Sequence, residues 1–344
     1  MHYPMLRTTP KSLIRKIKTR WAVLAGLVAG FFLLFMPIRS RQLRKYYTQF
    51  RSAFRPMAEA IDARFNHQDR IVNGIRWHYV DDGPRQGKVI LFLHGLPEGW
   101  YSWRYVLPLV DPQFRRIAVD MKGYGRSDKV DDDYNWHTVA DQTLALMDSL
   151  GVGKFYVVGH DWGALIGSIL VNDHPDRILG FIRMQADLLP EEPGYPLHTY
   201  LHKPQWALFQ FPWIATYLME DAGWFIDYVF QTRRAAPLKQ LDRDYLVYEL
   251  ARPQVAQQVP RYFTRSNWDL DAALENICKK HFPFPILILQ ADHDPYQPVS
   301  NFSRVAVECP HVELKWIANA SHFTSMDQPE QVAGEINRFL HAAV

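Results

Sequence analysis

Between Phe155 and Val171 the chain runs through a β-rich apolar stretch, Phe155–Val158, a six-residue turn, Gly159-His160-Asp161-Trp162-Gly163-Ala164, and a helical apolar stretch, Ala164–Val171. The small residues at 159 and 163 let strand and helix approach closely and force the residue between them outward in a strained conformation. Most bends of this kind present a serine; here the residue is Asp161. The helix beyond it directs free N–H groups and the positive end of its dipole at the carboxylate, which favours the anion. An aspartate at a helix start is also an ordinary N-cap. The complete glycine frame, with strand before and helix after, favours a displayed carboxylate.

The rest of the chain repeats the same alternation. Near-continuous apolar runs at Val89–Leu93, Arg116–Asp120, Phe155–Gly159, Ile178–Met184, Pro285–Gln290 and Val312–Trp316 read as strands buried on both faces. Helical stretches separate them, so the fold class is α/β, a mostly parallel central sheet flanked by helices. Before them, Arg70–Val72 and Ile75–Val80 flank Asn73-Gly74, a strong hairpin signal. Residues 186–270 break the alternation; rich in Trp, Tyr and Phe and without a clear strand, they read as a helical insertion. The expected organisation is therefore 1–66, an apolar segment with a basic connector; 67–185, the first part of the core; 186–270, the insertion; and 271–344, the second part of the core.

Charge is divided unevenly. Residues 1–58 hold 12 Lys and Arg and no acid, which leaves 27 basic and 36 acidic residues in the remainder, a +12 tail on a −9 body. An acidic body excludes nucleic acid as an expected partner, since binding phosphate needs basic surface. Within the tail, Trp21–Ile38 carries no charge, and 18 residues at 1.5 Å rise span about 27 Å, close to the thickness of a bilayer's hydrocarbon. A cleaved signal peptide would have a shorter apolar core and a small-residue cleavage site, which Pro37-Ile38-Arg39 is not. An interfacial helix would show a polar face, which the run lacks. The expectation is a retained single-pass anchor at about residues 21–38, in contact with membrane lipid. Basic residues on both flanks leave its orientation open. Hydrophobic content of 48% allows a full core, and two cysteines, Cys278 and Cys309, are too few for a disulfide scaffold and lie in no metal-ligand spacing. Neither a metal nor another cofactor is expected.

Three further stretches carry chemistry. His94-Gly95-Leu96-Pro97 ends the strand Val89–Leu93, where a glycine turn lets a backbone N–H face the elbow; the Leu96 and Trp162 amides together could form an oxyanion hole. Asp294 lies in Ala291-Asp292-His293-Asp294 after the strand Pro285–Gln290, and His322 in Ser321-His322-Phe323 after Val312–Trp316. The order nucleophile, acid, histidine, each just beyond a strand, is that of the α/β-hydrolase fold and puts all three at the carboxyl edge of the sheet. Asp292 competes with Asp294 for the acid.

On these residues the chain resembles the α/β-hydrolase-fold epoxide hydrolases over roughly residues 70–340. HGLPEGWYSWR, the Asp120–Asp128 stretch DMKGYGRSD, GHDWGA and SHFTSMDQPE all carry the likeness, and the apolar segment is similar to that of the membrane-anchored single-pass members. The resemblance implies a helical cap domain over residues 186–270, Asp161 as nucleophile, His322 as base, Asp294 as its orienting acid, and two cap tyrosines facing the substrate. Tyr262, in Val259-Pro260-Arg261-Tyr262-Phe263, matches one; Leu208, before Phe209-Gln210, stands where the other usually lies, and Tyr200 is nearby. Arg183-Met184-Gln185-Ala186 also departs from the family pattern. The implied reaction takes a lipophilic epoxide and water to a vicinal diol through an ester on Asp161. Haloalkane dehalogenases share the Asp–Trp elbow, with Trp162 and a cap Trp206 or Trp213 available to halide, but HGLP lacks their usual Asn donor. A non-catalytic binding protein on this fold is the remaining alternative. Asn319-Ala320-Ser321 is a glycosylation sequon touching His322, and Asn301-Phe302-Ser303 is another. In a eukaryote this favours a cytosol-facing body on the endoplasmic reticulum.

Overall fold

A computed structural model describes residues 37–186, 209, 211–231, 237–265, 277–297, 299–303 and 305–342. Eight strands form one sheet: β1 (His67–Val72), β2 (Ile75–Asp82), β3 (Val89–Leu93), β4 (Arg115–Val119), β5 (Phe155–His160), β6 (Ile178–Met184), β7 (Ile286–Ala291) and β8 (Val312–Ile317). Their order across the sheet is β1-β2-β4-β3-β5-β6-β7-β8. The pairs β1–β2 and β2–β4 are antiparallel and every other pair is parallel. β3 and β6 lie where expected, and the other four core strands differ at their ends by a residue. The hairpin forms as the Asn-Gly pair requires: Val72 pairs with Ile75, and Asn73 and Gly74 take φ of 50° and 79°.

Helix α2 (Trp162–Asp173) packs against the central strands β3, β5 and β6, and α1 (Trp136–Ser149) packs on α2 and on the edge strand β1. Between β6 and β7 the described segments are helical: α3 (Pro212–Met219), α4 (Ala222–Ile226), a π-helical turn at Asp227–Gln231, α5 (Gln240–Leu250), α6 (Val255–Gln258) and α7 (Arg261–Arg265). α8 (Val305–Glu308), α9 (Thr324–Asp327) and α10 (Pro329–Ala342) follow. The central strands β3 and β5 are buried along their whole length, which is why their sequences run apolar without alternation.

The chain divides into two units, Met1–Gln49 and Phe50–Val344. In the second, residues 50–62 are helical and hydrogen-bond to the body. Arg51 Nε donates to the Tyr248 carbonyl at 3.0 Å and Tyr245 donates to Asp62 at 2.6 Å. Apart from Pro37 and Ile38, the apolar segment 21–38 lies outside the described residues, as do Tyr200, Trp206 and Leu208. Among the described residues no helix is long and apolar enough to cross a membrane. Cys278 and Cys309, too few for a scaffold, pair with each other in a disulfide that joins the chain ahead of β7 to the chain ahead of β8.

Candidate active site

Asp161 sits at the junction of β5 and α2 with φ 51° and ψ −114°, a positive-φ conformation that a non-glycine residue holds only when its surroundings impose it. The glycines impose it. A Cβ on Gly159 would lie 2.4 Å from the Gly163 carbonyl oxygen, and one on Gly163 would lie 2.3 Å from that of Leu93, so only bare backbone fits where α2 crosses β3 and β5. Although Asp161 is the N-cap residue of α2, its side chain makes no capping hydrogen bond. The carboxylate instead lines a cavity together with Leu96, Trp162, Phe209, Phe225, Tyr228, Val229, Phe263, Tyr296, Gln297, His322 and Phe323. Its side chain is 22% exposed, open on one side to a reactant.

The loop after β3 supplies the first partner: the Leu96 N–H donates to Asp161 Oδ1 at 3.0 Å, ahead of a cis Leu96–Pro97 bond. Gly95 is bare because a Cβ there would lie 2.5 Å from Asp161 Cβ. Trp162 opens α2, so its amide is among the unpaired donors of the helix start. His94 stands behind the loop rather than in the cavity. Fully buried, it donates through Nδ1 to the Gly95 carbonyl at 2.8 Å and accepts at Nε2 from the Met121 N–H at 3.0 Å. Burial lowers its pKa, which suits the neutral ring that this pattern needs.

His322, beyond β8, faces Asp161 with Nε2 3.5 Å from Oδ2, an ion-pair separation, and donates from Nδ1 to Asp294 Oδ2 at 2.9 Å. Asp294 is buried, and its Oδ1 accepts the Tyr296 and Gln297 N–H groups at 2.8 and 3.0 Å. Asp292, the competing acid, is turned to the loop instead. It accepts the Asn319 and Ala320 N–H groups at 2.9 and 3.1 Å, tying the β7 and β8 loops together. Burial alone would lower the His322 pKa; the negative charges of Asp294 and Asp161 outweigh it and raise the imidazole to about 10. Burial would likewise raise the Asp161 carboxyl, but His322 and the Leu96 N–H more than offset it, and it stays ionised. The resting site is an imidazolium held between two carboxylates.

Tyr262 does not join this group, contrary to what the resemblance implied. Its ring is fully buried against Trp162, 5.1 Å between centroids, and its hydroxyl donates to the Lys122 carbonyl at 2.8 Å, away from the cavity. The reason is helical phase. Successive residues on α7 point about 100° apart, so the side chain that reaches the cavity is Phe263.

Sequence reading gave no role to Glu98 and His160, both buried to 0% side-chain exposure. Glu98 Oε2 accepts the Gly95 N–H at 3.0 Å and the His160 Nδ1–H at 2.7 Å, and His160 Nε2 donates to the His322 carbonyl at 2.7 Å. With both nitrogens donating, His160 is a cation; burial would lower its pKa, and the Glu98 charge raises it. One ion pair thus joins the Leu96 loop, the elbow and the His322 loop. The signal was present, a histidine inside the elbow and a glutamate inside HGLPEG, but only the third dimension pairs them.

These elements define an α/β hydrolase, and the chain belongs to the α/β hydrolase fold family, whose profile matches residues 88–329. It is similar to human epoxide hydrolase 4, 26% identical over 286 residues, 78% of this chain and 76% of that protein. Over a shorter stretch of 130 residues, 36% of this chain and 41% of its relative, it is 39% identical to a haloalkane dehalogenase of Mycolicibacterium smegmatis. Among solved structures, the epoxide hydrolase CorEH without ligand superposes with a TM-score of 0.70 at 21% identity, covering 81% of this chain and 99% of that one.

Proposed function

We propose that this chain is an epoxide hydrolase that converts a lipophilic epoxide and water to a vicinal diol. The observation that carries the reading is an ionised Asp161 carboxylate, uncapped and facing a cavity, with an imidazolium 3.5 Å away that is itself held by Asp294. A carboxylate attacks a tetrahedral carbon without first losing a proton. Asp161 Oδ2 forms the ester while the ring C–O bond breaks. Oδ1, held by the Leu96 amide, becomes the ester carbonyl oxygen. His322 then takes a proton from water as the water attacks Cγ, the Leu96 and Trp162 amides hold the developing oxyanion, and breakage of the Cγ–Oδ2 bond frees the diol, whose departing oxygen takes the proton back from His322. Ester formation cancels the charge on Asp161, which removes part of what kept His322 protonated; the His322 proton passes to solvent and the neutral ring acts as base.

In this scheme Asp161→Ala abolishes turnover, whereas His322→Gln stops after the first step. Intact-mass spectrometry on His322→Gln with an aryl epoxide reads the ester as an adduct of substrate mass; no adduct overturns the reading. Dehalogenation is the second reading, favoured by Trp162 at the cavity and by the absence of Tyr262 from it. Diol formation from an aryl epoxide, assayed beside halide release from an alkyl bromide, separates the two.

We further infer that residues 67–185 and 271–344 form the hydrolase core, that 186–270 form its cap, and that segment 21–38 anchors the chain in a membrane, which suits a substrate that partitions into lipid. Retention of the full chain in the pellet after alkaline carbonate extraction supports the anchor, and release into the supernatant refutes it. The Cys278–Cys309 disulfide supports a body placed in a non-reducing compartment, against the cytosol-facing placement that the sequon beside His322 favoured.

A further inference from the structure

Opening an epoxide leaves an alkoxide that needs a proton, and the phenol expected to give it, Tyr262, is committed elsewhere. Burial pushes the Tyr262 phenol well above its ordinary pKa and its proton is spent on the Lys122 carbonyl. Among the described residues lining the cavity, two others carry a phenol, Tyr228 and Tyr296. Their positions are not equivalent. Tyr296 belongs to the loop of Asp294, donates its N–H to that acid at 2.8 Å, and sets its ring edge-on to His322 at 4.9 Å between centroids, so it stands on the side of the base. Tyr228 enters from the segment between β6 and β7, on the π-helical turn Asp227–Gln231.

Displacement at carbon proceeds with the attacking oxygen and the leaving oxygen on opposite sides, so the proton donor belongs across the substrate from Asp161. The turn that carries Tyr228 into the cavity is held from several sides. Arg243 grips Asp227 with Nε at 2.5 Å and Nη2 at 2.7 Å. Phe230 stacks on Phe323, next to His322, at 3.8 Å. The Tyr228 ring itself lies flat on Trp224 at 5.4 Å and 9°. An ordinary helix turns successive side chains about 100° apart; the widened turn sends both Tyr228 and Val229 into one cavity. Such π-helical turns recur at functional sites.

We propose that Tyr228 is the acid of the ring-opening step. As Asp161 Oδ2 bonds to the ring carbon and the C–O bond breaks, the departing oxygen takes the Tyr228 proton and leaves a hydroxyl on the ester; water reprotonates the phenolate. The assignment rests on the epoxide hydrolase reading and adds to it a residue outside the two positions that the resemblance names.

The test is single-turnover ester formation with styrene oxide, followed by rapid quench and intact mass in the full-length protein, for wild type and the variants Tyr228→Phe, Tyr262→Phe and Tyr296→Phe. Tyr228→Phe keeps the stacking on Trp224, and a thermal melt within a few degrees of wild type confirms its fold. The expected result is ester formation about 100-fold or more slower in Tyr228→Phe, the size of a lost general acid, with hydrolysis of the preformed ester slowed far less. A Tyr228→Phe rate within threefold of wild type overturns the assignment and leaves the hydrolase reading standing. Absence of ester in both wild type and His322→Gln overturns both.

Discussion

At Asp161 the charges are arranged so that one event resets them. His322 lies 3.5 Å from one carboxylate and 2.9 Å from another, and this raises its pKa to about 10. A base that stays protonated is useless, so the chemistry depends on the loss of one of those charges. Asp161→Asn imitates the neutral ester in this respect. The expected outcome is a His322 imidazole titrating well below about 10 in that variant, read by nitrogen NMR of the ring; an unchanged value removes the coupling. The same shift has a sign in stability. Because the folded pKa is raised above the unfolded value of 6.5, the contribution is fully present below that pH, declines above it, and is gone beyond about 10. Denaturant midpoints followed from pH 6 to 10 should therefore fall, and by less in Asp161→Asn.

The elbow is the element on which the geometry depends, and its glycines act through space rather than through flexibility. Gly163→Ala sets a methyl 2.3 Å from the Leu93 carbonyl oxygen, where neither backbone can yield. A loss of about 1–3 kcal/mol is expected from overpacking alone, read as a lower midpoint in urea. Gly95→Ala acts differently. Its methyl would lie 2.7 Å from Asp161 Oδ1, so the nucleophile itself moves. Ester formation should drop about 100-fold, as misplacement by about 1 Å does elsewhere, with a smaller change in melting temperature. Both glycines were legible as a frame in the sequence. Which atoms they make room for was not, because Gly163 meets a strand about 70 residues earlier in the chain.

Across the whole molecule, the site is assembled from the loops after β3, β5, β7 and β8 at one edge of an eight-stranded sheet, and two buried devices tie the sheet and its loops together. One is the Glu98–His160 pair, which reaches from the β3 loop to the backbone of His322. The other is the Cys278–Cys309 disulfide, which closes 31 residues around β7 and ties the starts of β7 and β8 at the edge of the sheet opposite the site. A loop of this length predicts about 4 kcal/mol lost in Cys309→Ala on the chain-entropy account, measured as the difference in denaturant midpoint between the variant and the oxidised wild type. An unchanged midpoint would mean that the bond constrains little.

Strand positions, the elbow with its displayed aspartate, and the order Asp161, Asp294, His322 were determined by the sequence itself, because apolar runs and glycine spacing act over a few residues and need no distant partner. Tertiary structure alone decided which carboxylate meets the imidazole, which tyrosine meets the cavity, and which cysteine meets which. Asp292 and Asp294 are two residues apart, and Tyr262 and Phe263 are neighbours on one helical turn. Between such close alternatives composition and spacing are silent. The direction in which a loop or helix turns its side chains is set by what packs behind it, here the Asn319 and Ala320 amides for Asp292 and the Lys122 carbonyl for Tyr262.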